Sequence, residues 1–141
     1  MEAEAKRALI VDDVELNCEL VRLILSKHFA CDTVTHGMKA IELFQEAWEK
    51  DQPYELICLD IMMPVIDGKR VLQILRLMEE RMGEDCRPAR IIMVSARFDH
   101  ATMTQCRKMG CDAYIVKPID PNEFFRWLKK LALVESAEPT A

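Results

Sequence analysis

Short apolar runs alternate with amphipathic stretches of helical length five times along this chain, and that alternation restricts the folds open to it. Ala8, Leu9, Ile10 and Val11 are apolar at every position, as a strand buried on both faces requires. Residues 55–60 and 90–95 read the same way, and residues 112–117 form the last such run. Residues 31–35 are shorter and more polar, which suits an edge strand. Helical patterns fill the intervals. Residues 14–28 place Leu16, Leu20, Leu23 and Ile24 on one stripe. A helix after Gly37 carries Ile41, Phe44, Ala47 and Trp48 on one face, and another runs to Met82 with Val71, Ile74, Leu75, Met78 and Met82 inward. A weaker pattern covers 100–109 and stops at Gly110, a natural residue just past a helix end. The last helix opens at Asp120-Pro121-Asn122-Glu123, which combines an N-cap, a proline in the first turn and a capping-box glutamate, and its stripe is Phe124, Phe125, Leu128 and Leu131. Strands alternating with helices predict an α/β fold: a doubly wound five-stranded parallel sheet, (βα)5, with right-handed crossovers.

A chain of 141 residues suits one domain with a single core. Residues 1–134 are expected to form that domain. The polar tail 135–141, with Pro139, is expected to be flexible or to begin a linker. The start at Met1 favours an N-terminal position for the domain. The net charge of −5 argues against direct nucleic-acid binding, which needs a basic footprint. No apolar run approaches the ~20 residues needed to span a bilayer, and the first seven residues lack the apolar segment of a secretion signal. The expected location is the cytoplasm. Six cysteines are scattered without a C-x-x-C pair and read as reduced thiols, with Cys58 a small buried hydrophobe.

Charged residues follow three of the apolar runs: Asp12-Asp13, Asp60 and Lys117. In open parallel sheets ligands bind beyond the carboxyl ends of the strands, so these groups should meet at one edge. Three carboxylates and an ammonium form a site for a divalent cation and a phosphoryl group. Asp60 is the candidate nucleophile, because a carboxylate can accept a phosphoryl group as an aspartyl-phosphate. Asp12, Asp13, Asp60 and the backbone carbonyl of Met62 would hold Mg²⁺ (or Mn²⁺). Lys117 would pair with a phosphoryl oxygen, and Ser95, which ends the fourth run, could donate its hydroxyl to the same group. Crowded carboxylates should make metal binding weaken at low pH. His28, His36 and His100 read as solvated. Each site residue also has an ordinary reading: Asp12 with Glu15 as a helix capping box, Asp60 as a strand-end residue, Lys117-Pro118 as a turn. Their conjunction at four strand ends favours the site.

These residues resemble the receiver domain of two-component response regulators, the CheY-like family. The resemblance runs from about Lys6 to Val134. It rests on Ile10-Val11-Asp12-Asp13, on Leu59-Asp60-Ile61-Met62-Met63-Pro64 with Asp67-Gly68, on Val94-Ser95-Ala96 and on Tyr114-Ile115-Val116-Lys117-Pro118. It implies the strand order 2-1-3-4-5. It also implies that Asp60 is the phosphoacceptor, that Asp12 and Asp13 are the acidic metal pair, and that Lys117 partners the phosphate. Ser95 and Tyr114 would be the hydroxyl and aromatic switch residues. Pro64 and Gly68 would shape the loop, and the Lys117-Pro118 bond would be cis. Phosphorylation would draw Ser95 toward Asp60, let Tyr114 rotate inward, and reshape the surface of the fourth helix, fifth strand and fifth helix. Met62 and Arg97 would tune the lifetime of the phosphoryl group. The implied partners are a sensor histidine kinase or histidine phosphotransfer protein, and a downstream protein or fused output domain, with a possible phosphorylation-dependent homodimer. Arg126, Lys129 and Lys130 read as a solvated face.

A phosphorylation-independent interaction module of the same fold would not need the complete set of acids, hydroxyl and lysine. A flavodoxin-like FMN protein would need a phosphate-cradling loop where this chain has Asp12-Asp13-Val14-Glu15, and a haloacid-dehalogenase-type phosphatase would want an acid at Met62. No G-x-G-x-x-G follows a strand.

Overall fold

The computed structural model describes residues 6–96 and 98–134. Arg97 and the tail 135–141 lie outside the described residues, so the expectations for them stay open. The strands are β1 (Lys6–Val11), β2 (Phe29–Val34), β3 (Leu56–Asp60), β4 (Arg90–Ser95) and β5 (Ala113–Val116). The helices are α1 (Glu15–Leu25), α2 (Gly37–Glu49), α3 (Gly68–Met82), α4 (His100–Met109) and α5 (Pro121–Lys130). The strands pair in parallel in the order β2-β1-β3-β4-β5. The order reverses between β1 and β3, which opens a crevice at their carboxyl ends.

Alternation along each strand divides the core in two. Leu9, Val11, Ile57, Leu59, Ile91 and Met93 pack toward α2, α3 and Cys106 of α4. Ala8, Ile10, Cys58, Ile92 and Val94 pack toward α1 and α5. Burial of both faces explains why β1, β3 and β4 are apolar at successive positions. The edge strand β2 is mostly part-exposed.

The helix starts follow local chemistry. Asp67, Asp99 and Asp120 cap α3, α4 and α5, accepting from the backbone N–H of Arg70, Thr102 and Asn122. Gly110 ends α4 in the left-handed region at φ 106. Helix α1 differs from the sequence reading. It is shorter than 14–28, and its N-cap is Val14, so Asp12 and Glu15 form no capping box there. Its buried face is Cys18, Val21 and Leu25, whereas Leu16, Leu20 and Leu23 are 67%, 49% and 70% exposed. The helix carries two apolar stripes, and only docking on the sheet selects between them. In α3, Glu79 is buried as well as Val71, Leu72 and Leu75. Arg76 compensates it at 2.7 Å and also donates to the carbonyls of Gly110 and Ala89 and to Asp112, tying α3 to the start of β4 and the end of α4.

Candidate functional site

The crevice at the carboxyl ends of β1 and β3 gathers the residues singled out in the sequence. Asp12 and Asp13 follow β1, Asp60 ends β3, Ser95 ends β4, and Lys117 follows β5. Oxygens of Asp12, Asp13 and Asp60 lie within 4.8 Å of one another. Asp12 and Asp60 are buried, and Asp13 is exposed. Lys117 Nζ lies 2.9 Å from Asp12 Oδ2 and 3.5 Å from Asp60 Oδ1. The Lys117-Pro118 peptide is cis, and the Lys117 backbone N–H donates to Ser95 O at 2.7 Å, fixing where the lysine leaves the sheet.

The β3–α3 loop folds back tightly on the acceptor strand. Gly68 N–H donates to Ile61 O at 2.8 Å. A Cβ at Gly68 would meet the Asp60 carbonyl, so only glycine permits this approach. Met62, in the same loop, is 58% exposed.

Burial pushes Asp60 up to about 6, and the neighbouring Asp12 charge pushes the same way, against the pull of Lys117. For Lys117, burial alone would lower the pKa, but the hydrogen bond to Asp12 and the Asp60 charge outweigh it and raise it. The arrangement is therefore an acidic pocket in which three carboxylates face one basic partner, already engaged. Three carboxylates from two strand ends are hard oxygen ligands suited to Mg²⁺ or Mn²⁺, and the surplus negative charge is what such an ion would offset.

Tyr114 is buried, its pKa raised by that burial, and its side chain hydrogen-bonds Ser95. Sequence reasoning also passed over Asn17, whose Nδ2 donates to Asp12 Oδ1 at 3.3 Å. No sequence pattern marked it, because the contact joins the end of β1 to the first turn of α1. Asn17 also borders an apolar groove of about 660 Å³ lined by Leu20, Leu23, Ile24, Pro118 and Ile119, with Lys117 at its edge.

A doubly wound sheet with an acidic triad and a lysine at its switch point defines a class of small phosphoryl-handling α/β domains. Within it, residues 8–129 match the family model of the response regulator receiver domain, and the chain belongs to that family. It is 35% identical over 131 residues to hybrid signal transduction histidine kinase F of Dictyostelium discoideum, covering 92% of this chain and 11% of that protein. It is 34% identical over 136 residues to the transcriptional regulatory protein ResD of Bacillus subtilis, covering 96% of this chain and 50% of that protein. The chain therefore spans half or less of the length of these relatives. Among solved structures, it superposes on one in the crystal structure of the CheX-CheY-BeF3-Mg²⁺ complex from Borrelia burgdorferi, with a TM-score of 0.76, 27% identity, and coverage of 90% of this chain and 89% of that one. The protein is a receiver domain of two-component signalling, with the five-stranded order read from the resemblance. Among the described residues, no helix is long and apolar enough to cross a membrane.

Proposed function

We propose that Asp60 is the phosphoacceptor of this receiver, and that residues 1–134 form the switching domain, with 135–141 a tail or linker. The observation that carries this reading is the convergence of Asp12, Asp13, Asp60 and Lys117 on one crevice. A carboxylate oxygen of Asp60 attacks the phosphorus of a phosphohistidine on a sensor kinase or phosphotransfer protein. The P–N bond breaks, its electron pair leaves with the imidazole, and that nitrogen takes a proton from water. Lys117 shifts part of its charge from Asp12 and Asp60 to a phosphoryl oxygen, and the Ser95 hydroxyl donates to another. Asp12, Asp13, Asp60 and the Met62 carbonyl would hold Mg²⁺ or Mn²⁺, which would supply the remaining charge neutralisation. Water later attacks phosphorus and returns the Asp60 carboxylate and phosphate. The domain thus catalyses only its own phosphorylation and dephosphorylation.

The output is a population shift. Drawing Ser95 toward the phosphoryl group competes with its bond to Tyr114, whose ring lies between β5 and α4. Helix α4 buries only Cys106, fewer residues than α1, α2, α3 or α5, which suits it to displacement. The surface of α4, β5 and α5 then offers a changed face to a cytoplasmic partner, a fused output domain or a second copy.

Donor access is supported by the exposed stripe of α1. The apolar groove bordered by Leu20, Leu23 and Pro118 adjoins Lys117, and a partner seated there places its histidine at the crevice. Interface cores of this kind are apolar with a polar rim.

The test is intact-mass spectrometry after incubation with Mg²⁺ and a small acyl phosphate. One added phosphoryl group is expected in wild type, and none in Asp60→Asn or without the metal. Modification that persists in Asp60→Asn at the wild-type level would overturn the assignment.

A further inference from the structure

Asp12 is gripped on both oxygens. Its Oδ1 accepts from Val14 N–H at 3.0 Å and from Asn17 Nδ2 at 3.3 Å, while its Oδ2 accepts from Lys117 at 2.9 Å. A carboxylate turns about a broad, two-fold torsion, so a single backbone donor leaves it free to swing. A second donor, reaching the same oxygen from the first turn of α1, removes that freedom. The donor is an amide, so it adds no positive charge that would compete with a cation. Asparagine is otherwise a poorer choice there, since within a helix it is less favourable than alanine.

We propose that Asn17 is a positioning residue of the cation site, anchoring Asp12 Oδ1 so that Oδ2 faces Asp60 and Lys117. The inference rests on the reading of Asp12, Asp13 and Asp60 as a metal site. Asn17 touches no phosphoryl group and does not ligate the ion. Its role is to spare the metal the cost of ordering Asp12, as partners behind a ligand do in other sites.

The role predicts opposite signs for metal affinity and for stability. Asn17→Ala improves helix propensity and empties no core position, so the metal-free fold should melt no lower than wild type. Asn17→Leu keeps the side-chain bulk beside the groove and removes only the amide. Mg²⁺ titrated calorimetrically into the full chain, with no phosphodonor, should show its dissociation constant rising about tenfold in both variants. Melting in chelator should be unchanged or higher. Dissociation constants within twofold of wild type in both variants would overturn the inference while leaving the metal site intact. Weaker binding accompanied by a lower chelator-state melting point in both would mark a purely structural residue and overturn it too. Failure of wild type itself to bind Mg²⁺ would instead remove the metal reading, and this inference with it.

Discussion

Gly68 and the Asp60 carbonyl lie so close that a Cβ on the glycine would collide with the carbonyl oxygen. The contact closes the loop that begins at the candidate acceptor, and it ties the start of α3 to the end of β3. Because the obstacle is backbone, no side-chain rotation can relieve it. Gly68→Ala is expected to cost about 2–3 kcal/mol, in the range of overpacked cores, and to slow Asp60 phosphorylation by moving its strand end. Thermal melting and the acyl-phosphate reaction, followed in parallel, check both effects. A variant with wild-type melting would contradict the contact.

Asp60 is held above its ordinary range, raised from 3.8 to about 6, first by burial and then by Asp12. The folded state therefore binds this proton more tightly than the unfolded chain, and the charged form opposes folding once the pH exceeds the folded value. Asp60→Asn removes that charge. Without metal at pH 7.5 it should be more stable than wild type by on the order of 2 kcal/mol. The gain should shrink as the pH falls from about 6 toward about 4, where wild type is protonated in both states. Denaturant melts of the two proteins across this range in chelator measure the difference. A gain that grows on acidification would reverse the sign and refute the argument.

The raised Asp60 value also sets the pH response of metal binding. A cation must displace the proton, so Mg²⁺ affinity should decline as pH drops below about 6, close to tenfold per unit at the acidic end. Calorimetric titrations at pH 5, 6 and 7.5 follow this. Affinity independent of pH would mean that Asp60 does not ligate.

Leu20 and Leu23 are apolar, exposed and beside the groove. Replacing both with glutamate should leave reaction with a small acyl phosphate unchanged, because neither residue touches the crevice. Transfer from a phosphohistidine protein should fall by more than tenfold, as expected for charges placed in a desolvated contact. Equal loss with both donors would point to a damaged site instead of a docking face.

Met62 lies two residues after Asp60, and its side chain is largely exposed. If it hinders the attacking water, Met62→Ala should lose its phosphoryl group faster than wild type. Decay read by mass after donor removal tests this. Slower decay in the variant would exclude the shielding role.

Much of this molecule could be read before its structure. The alternation of apolar runs with helical patterns dictated a parallel sheet, because strands buried on both faces must be apolar at successive positions. Asp120-Pro121 and Gly110 marked helix ends by their local chemistry alone. The acids and the lysine stood out because each follows a strand, and parallel strands bring all such positions to one edge. Side-chain choices between equivalent faces were not legible. Helix α1 carries two apolar stripes, and the one with more leucine turned outward, because only the sheet beneath decides which stripe is covered. The pairing of half-buried Arg76 with buried Glu79 escaped notice, since charges within α3 read as solvated until Asp112 and the Gly110 carbonyl are seen to face Arg76. Asn17 was hidden for the same reason: its amide gains meaning only from the position of Asp12. Local sequence determined the elements and the chemistry at their ends. Tertiary packing decided which faces meet, because contact between distant residues depends on the register and docking of whole elements.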